Sequence, residues 1–484
     1  MITILGLGPG RPELLTREAW DALLNAPNGE VYVRTCRHPT VEGLPPSLIV
    51  HSFDDIYDST EKFEDVYGQI VSRVLELGAR PGGVLYAVPG HPAVGESAVE
   101  QIRQRAAELG LPVRVVGGLS FVEPCLLALK VDALPGLFVA DALDLAARAH
   151  PSFGPDTPAL VAQLYSADLA SDVKLTLMNQ YPDEHRVALV HAVGAVDERV
   201  EWLPLYEIDR SPHIAHLTSL FVPAVERAGS FESFQNTIAR LRAPDGCPWD
   251  KEQTHQSLRA NLLEEAYETL AALDADDPDM LREEMGDLLL QVVLQTQIAI
   301  DDGEFRMADV IADINAKLIR RHPHVFGDVK VNGVDDVFKN WEKLKESERA
   351  GDPEKKGNGL LSGVPAALPA LAQADTYQSR AARVGFDWPD VSGVVDKLVE
   401  EIAELQAAEG EAGQTAELGD LLFTVVNWAR WLKVNPESAL REANARFAKR
   451  LGHIEAAAKA QGRVLSDLSL AEMDKLWEEA KEAL

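Results

Sequence analysis

Two stretches of this chain, roughly 136 residues apart, place carboxylates at the edge of an apolar helical stripe in the same pattern. The first reads LLEEAYETL from Leu262 and REEMGDLLLQ from Arg282; the second reads KLVEEIAEL from Lys397 and AELGDLLFTVVNWA from Ala416. At about 100° per residue, Leu258, Leu262, Ala266 and Leu273 share one stripe of a helix, with Glu265 inside it and Glu268 on its margin. Leu281, Met285, Leu289 and Val292 form the stripe of the next helix, bordered by Glu284, and Gln291 and Gln295 continue a polar seam. The second copy repeats the layout: Lys397, Glu401 and Glu404 share an edge, and Glu417 lies beside Leu421 and Val425. A carboxylate facing a helix-packing interface is costly unless it is paired or bound to a cation. Acids spaced i, i+3 project from one side of a helix, so two such helices packed antiparallel bring four carboxyl groups together. Their mutual repulsion calls for a hard divalent ion, and an oxygen ligand set with partial hydration suits Mg²⁺ or Mn²⁺. A lone ExxE is ordinary solvated surface. ExxE followed by ExxD, written twice, reads as metal binding by Glu265, Glu268, Glu284 and Asp287 and again by Glu401, Glu404, Glu417 and Asp420.

The rest of the chain divides by texture. Up to residue 222, β-branched runs such as ITILGLG, GGVLYAV, VRVVGG and HRVALVHAVG alternate with amphipathic stretches and Pro/Gly turns, an α/β pattern. Beyond FVPAVERAGSF only helical periodicity remains. The duplication also lays Lys317 and Arg321 on Arg446 and Arg450, and Trp341 and Lys345 on Trp477 and Lys481. The expected plan is an α/β domain over 1–222, a helical domain over 230–350, a linker over 351–364 rich in Gly, Pro and charge, and a second helical domain over 365–484. A net charge of −31 argues against a nucleic-acid polymer as partner. Three scattered cysteines (Cys36, Cys125, Cys247) read as reduced residues of a cytoplasmic protein. The start MITILGLGPG reads as a strand, not a signal peptide, and no apolar run approaches the ~18 residues of a membrane span. His322 and His324, flanking Pro323, read as a loop or helix end and not as a zinc site.

The segments GCPWDKEQTHQSLRANLLEEAYETL, EEMGDLLLQVV, RRHPHVFGDV, RVGFDWPD and ELGDLLFTVVNWAR resemble the MazG nucleoside triphosphate pyrophosphohydrolases over about residues 230–484. That resemblance implies an all-α bundle, usually dimeric, which hydrolyses nucleoside triphosphates to the monophosphate and pyrophosphate with Mg²⁺. It also implies that Glu401 and Glu404, with Lys397, carry the chemistry, and that Lys397, Arg446, Arg450 and Trp477 contact the nucleotide. Lys317, Arg321 and Trp341 are their counterparts in the first copy. Guanidinium groups suit phosphate and an indole can stack on a base. Asn261 stands where the second copy has Lys397, so the second copy reads as the main site.

The ordered set GLGPGRPELLT, VYVRTCRHP, YAVPGHPAVGE, VVGGLSF and VALVHAVGAVDERVEWLPLYEID resembles the tetrapyrrole (corrin and porphyrin) methylases over residues 1 to about 210. The whole layout resembles YabN-type fusions of such a methylase to MazG domains. The methylase resemblance implies a two-lobed α/β enzyme that binds S-adenosylmethionine between its lobes and takes a tetrapyrrole as acceptor. It places Gly8, Pro9 and Gly10 near the acceptor, and Pro89, Gly90 and Ser120 along the cofactor pocket. One departure stands out: the family's GDP loop reads GHP, with His91 in place of the acid. Two other readings stay open at this level: a methyltransferase whose helical tail is regulatory, and a nucleotide-sensing module without turnover.

Overall fold

The structure, a computed structural model, describes residues 1–59, 63–334, 336, 337, 340, 341, 344 and 359–483. It comprises two compact units, Met1–Ala312 and Asp313–Leu484. The first unit begins with five parallel strands: β1 (Ile2–Gly6), β2 (Glu30–Val33), β3 (Ile49–Ser52), β4 (Val84–Val88) and β5 (Val113–Val116), in the order β3-β2-β4-β1-β5. A parallel sheet covered on both faces needs apolar residues on both. Ile2, Ile4, Tyr86 and Val88 accordingly pack under helices α1 (Phe63–Gly78) and α2 (Ser97–Glu108), while Leu5, Leu85, Ala87 and Val33 meet Ala19 and Leu23 on the other side. A second, mixed sheet comes next, β6 (Phe138–Asp141), β7 (Ala159–Ala162), β8 (Arg186–His191), β9 (Arg199–Pro204) and β10 (Thr218–Val222). Its order is β6-β7-β10-β8-β9, with only β6 and β7 parallel. Helix α3 (Ala167–Leu177) fills its core with Leu169, Val173 and Leu177. The α/β fold over this region and the helical character of the remainder of the chain are as the sequence implies.

The loops that leave β1 and β4 touch. Gly8 and Gly90 form an isolated antiparallel bridge, both at positive φ. A Cβ on Gly6 would lie 2.5 Å from the Gly90 carbonyl oxygen, so the backbones approach to a distance that only glycine allows.

Asp156, in the loop before β7, receives the first helix of the helical region, α4 (Phe231–Arg242). Its carboxylate accepts hydrogen bonds from the Gly229 amide (2.7 Å), the Ser230 amide (3.1 Å) and the Ser230 hydroxyl (2.5 Å), and also from the Ser233 hydroxyl. Ser230 in turn caps α4 by accepting from the Ser233 amide. Next come α5 (Arg259–Ala275) and α6 (Pro278–Asp301), and Ile238, Leu258, Val293, Leu294 and Ile298 share a core.

The second unit contains α7 (Ala370–Arg383), α8 (Val391–Ala407), α9 (Gly410–Trp431), α10 (Pro436–Ala460) and α11 (Leu470–Ala483), with no strand among its described residues. Arg430 on α9 donates to Asp387 at 2.6 Å, tying the turn that precedes α8 onto the α8/α9 hairpin. No described helix is long and apolar enough to cross a membrane. Most of the 351–364 stretch falls outside the described residues.

The apolar stripes behave differently from the sequence reading. Leu258 is buried, but Leu262, Leu273, Met285, Leu289 and Val292 are 41–54 % exposed. Helix α6 turns Gln291, Val293, Leu294, Thr296, Ile298 and Ala299 inward instead. The acids fall between α5 and α6, and the leucines next to them lie at the outer edge of that contact.

The Asp156 clasp yields a prediction. Its hydrogen bonds hold the carboxyl well below the usual carboxylate range, those from Ser230 and Ser233 most strongly. Asp156→Ala should cost about 1–2 kcal/mol, because the freed donors can reach water. A depressed folded-state pKa contributes stability above the unfolded value of about 4 and loses it as pH falls. The gap between wild type and variant, read by thermal melts, should therefore be constant near neutrality and close towards acid pH.

Candidate functional site

The two hairpins are built by tight turns. Asp276 ends α5 in the left-handed region, and Asp277 caps α6 by accepting from the Asp279 and Met280 amides at 3.0 and 3.1 Å, with Pro278 at the first helical position. Gly410 at φ +75° makes the corresponding turn between α8 and α9. Such short connections oblige the helices to run antiparallel, so the carboxylates of one face those of the other.

In the first hairpin Glu265, Glu268 and Glu284 each offer an oxygen within 4.8 Å of the others. In the second, Glu401, Glu417 and Asp420 do so. Each trio holds three of the four expected acids. Asp287 stands outside the first but close enough to act on it by charge, and Glu404 stands outside the second with its carboxylate 4.0 Å from the Lys397 ammonium. Burial, and then the negative charges of Asp287 and Glu268, push the Glu265 carboxyl up; burial, Glu268 and Asp287 do the same to Glu284.

The second cluster contains its own cation. Lys397 lies 2.8 Å from Glu401 Oε1 and 2.9 Å from Glu400 Oε1, and these two acceptors hold its ammonium well above the usual lysine range. Glu401 is 4 % exposed and its other oxygen, Oε2, is buried without a partner. A buried carboxylate oxygen left bare beside two further carboxylates fits a hard divalent cation, and an all-oxygen donor set suits Mg²⁺ or Mn²⁺. Asn261 supplies no charge at the equivalent place, and within the first unit no described residue forms an ion pair with Glu265, Glu268 or Glu284.

Among the expected nucleotide contacts, α10 and α11 bring Arg450 over the Trp477 ring at 5.3 Å, with Phe447 against the same indole at 5.4 Å. Arg446, one turn earlier, pairs loosely with Glu442 at 3.4 Å, and Lys481 with Glu478 at 2.6 Å. Lys317, Arg321 and Trp341 belong to the second unit, where Trp341 meets His322 edge-on at 5.1 Å. Lys345 lies outside the described residues. His322 bonds the Leu318 carbonyl through Nδ1 at 2.7 Å, as a helix-end residue does.

The α/β lobes enclose a cavity of about 690 Å³. Pro9, Pro89, Gly90 and His91 are among the residues that line it. Gly8 and Gly10 serve the backbone packing behind it, where a Cβ on Gly10 would lie 2.5 Å from the Gly194 carbonyl oxygen. The Ser120 hydroxyl donates to Glu123 at 2.6 Å. Sequence reasoning missed Arg34, His38, Tyr57 and Glu96, which also line the cavity. Arg34 donates to Glu96 at 2.6 Å, and burial, against the pull of Arg34, pushes the Glu96 carboxyl up to about 7. Burial and then Arg34 lower His38 to about 4, leaving it neutral. The only signal for this group was charge inside otherwise apolar strand ends, VYVRTCRHP and GHPAVGE.

Residues 1–209 match the Tetrapyrrole (Corrin/Porphyrin) Methylases, and residues 253–326 match the MazG nucleotide pyrophosphohydrolase domain. The chain is 42 % identical to YabN of Bacillus subtilis (strain 168), over 99 % of this chain and 98 % of that protein. It is 44 % identical to the nucleoside triphosphate pyrophosphohydrolase/pyrophosphatase MazG of Thermotoga maritima, over 52 % of this chain and 95 % of that one. It is likewise 44 % identical to the nucleoside triphosphate pyrophosphohydrolase of Escherichia coli (strain K12), over 50 % of this chain and 94 % of that one. Among solved structures, uroporphyrin-III-C-methyltransferase from Thermus thermophilus superposes with a TM-score of 0.37 at 23 % identity, over 46 % of this chain and 91 % of that one.

The contrast between the two clusters predicts unequal metal affinity in nucleotide-free protein. Lys397→Gln should strengthen Mn²⁺ binding severalfold at the second cluster, because the ion no longer competes with a resident ammonium for Glu401. Electron paramagnetic resonance titration of free Mn²⁺ against wild type and variant reads this directly; an unchanged isotherm contradicts it.

Proposed function

Because the chain belongs to the YabN family, in which a tetrapyrrole (corrin/porphyrin) methylase domain is joined to MazG nucleotide pyrophosphohydrolase sequence, we propose that it is a Mg²⁺-dependent nucleoside triphosphate pyrophosphohydrolase. Water attacks the α-phosphate, giving the nucleoside monophosphate and pyrophosphate. The observation that supports this most is the bare, buried Glu401 Oε2 beside Glu417 and Asp420. Glu401, Glu417 and Asp420 would hold the ion, which supplies charge neutralisation on the phosphate oxygens. Glu404, at the margin of that trio, accepts the proton of the attacking water or orients it. Lys397, already beside Glu401, is placed to follow negative charge onto the polyphosphate. Arg446 and Arg450 supply guanidinium donors to phosphate, and Trp477 offers a face for the base. In-line transfer of this kind needs little beyond positioning and electrostatics. Glu265, Glu268, Glu284 and Asp287 form the corresponding acidic centre of the first copy, and Asn261 leaves it without the Lys397 charge; Lys317, Arg321 and Trp341 are the sequence counterparts of Arg446, Arg450 and Trp477.

The same reading makes the protein a cytoplasmic homodimer. The exposed leucine stripe of α5 and α6, with Leu418, Leu422 and Val425 of α9, is more apolar surface than a solvated helix ordinarily shows, and a second copy would cover it. A second activity is favoured by the cavity of the α/β lobes: S-adenosylmethionine binding with methyl transfer to a tetrapyrrole.

Purified protein with an NTP and Mg²⁺ should release pyrophosphate and not orthophosphate, resolved by ion chromatography. Glu401→Gln should lower kcat by about a hundredfold or more, as loss of a group that stabilises developing charge does; the paired Glu265→Gln variant should lower it less. Sedimentation velocity should give twice the chain mass, and Leu418→Glu with Leu422→Glu should shift it towards one.

A further inference from the structure

The two acidic seams differ in what answers their charge before any ligand arrives. On α8 the Lys397 ammonium lies 2.8 Å from Glu401 Oε1 and 2.9 Å from Glu400 Oε1, with Glu404 at 4.0 Å. Glu401 also belongs to the trio with Glu417 and Asp420, so the lysine is bonded to a carboxylate that the proposed ion needs. On α5, Asn261 stands four residues before Glu265, just as Lys397 stands four before Glu401. The same turn of the helix therefore presents a neutral amide in one copy and an ammonium in the other.

An ammonium and a divalent ion repel, and one carboxylate cannot serve both at full strength. Lys397 is nevertheless free to leave. Its charge is a point at the end of a flexible four-carbon stem, and the side chain is 33 % exposed. Its acidic partners Glu400, Glu401 and Glu404 all lie on its own helix, so its departure shifts no other segment. A polyphosphate offers the ammonium more negative charge than a single carboxylate does. Once the lysine turns to the phosphates, Glu401 is released, and a cation on Glu401, Glu417 and Asp420 then strengthens the hold on those phosphates. Each ligand removes the obstacle to the other, and such coupling is reciprocal by thermodynamic necessity. The first seam has no such exchange, because the Asn261 amide neither repels an ion nor carries charge to a phosphate.

We infer that Lys397 is a resident plug of the second metal site, drawn off Glu401 by a bound polyphosphate. Ion and nucleotide thus enter the second cluster together, while the first cluster takes its ion without waiting for a nucleotide. This rests on the pyrophosphohydrolase reading and adds to it the order in which the ligands arrive. It also gives the duplication a purpose: one acidic hairpin is loaded at rest, and the other is loaded only with substrate.

Titration of the full chain with Mn²⁺, followed by electron paramagnetic resonance, tests it with and without the α,β-methylene analogues of ATP, GTP, CTP and UTP. These analogues cannot be cleaved between the α and β phosphates. Without analogue, wild type should fill one site at least about fivefold more tightly than another, and Glu265→Gln should remove the tighter one. A bound analogue should tighten the weaker site by about fivefold or more, the lower end of ordinary coupling between ligands. Lys397→Gln should tighten that site in the absence of analogue and cut the effect of the analogue severalfold. Asn261→Lys, which puts an ammonium one turn before Glu265, should weaken the tighter site severalfold. If Lys397→Gln changes only the affinity for analogue and leaves the analogue-free isotherm as in wild type, the lysine serves phosphate alone and the inference fails by itself. If wild type binds no Mn²⁺ even with the analogues present, the pyrophosphohydrolase reading fails and takes the inference with it.

Discussion

The repulsion between carboxylates held across an antiparallel helix hairpin governs the helical part of this protein. Two turns, Asp276–Asp277–Pro278 and the one around Gly410, force the acids of adjacent helices into one seam, and three carboxylates in each seam come within 4.8 Å. Placing like charges that close, partly out of water, raises the free energy of the fold unless positive charge enters. In one seam the chain provides some of that charge itself, through Lys397; in the other it provides none at the matching position. The two copies are thus chemically distinct variants of one device. They differ in the resident cation, Asn261 against Lys397, and in which three of the four acids come together.

The same constraint reaches the surface. With the acids committed to the seam, the leucine and methionine stripes of α5 and α6 are left facing outward from the chain, and α6 buries a mixed set that includes Gln291 and Thr296. An arrangement that is strained as a lone subunit becomes reasonable when a second copy covers the stripe. The metal binding and self-association proposed for this protein would then both follow from one helical register.

The α/β lobes show how buried charge is handled differently when it is paired from the outset. Arg34 and Glu96 arise at the ends of neighbouring segments of the parallel sheet, and the close glycine contacts between the β1 and β4 loops bring those ends to the cavity. The pair is satisfied on one side only. Asp156, by contrast, has its hydrogen bonds complete, and its place is structural: it fastens the start of α4 to the lobe that precedes it.

Periodicity and duplication were enough to read much of this from the residues alone. The strands ITILG, VLYAV and VRVV lie where alternation of texture puts them, because a parallel sheet demands continuous apolar runs and helices do not. The acids Glu265, Glu268, Glu284, Glu401, Glu417 and Asp420 were legible too, since i, i+3 spacing on a helix fixes their common side whatever the tertiary context. Helical spacing states which residues share a side; it is silent on which side meets a neighbour, and so the apolar stripes pointed the wrong way. Nor could spacing join Arg34 to Glu96, 62 positions apart, or reveal that Lys397 spends its charge on Glu401. The sequence by itself determined the element types, the doubled acidic pattern and the chemistry those acids favour, all of which come from local geometry. Only the tertiary structure decided which carboxylates share a cluster, which oxygen is left bare and which cation stands beside it, because those depend on distances between segments that the chain brings together only by folding.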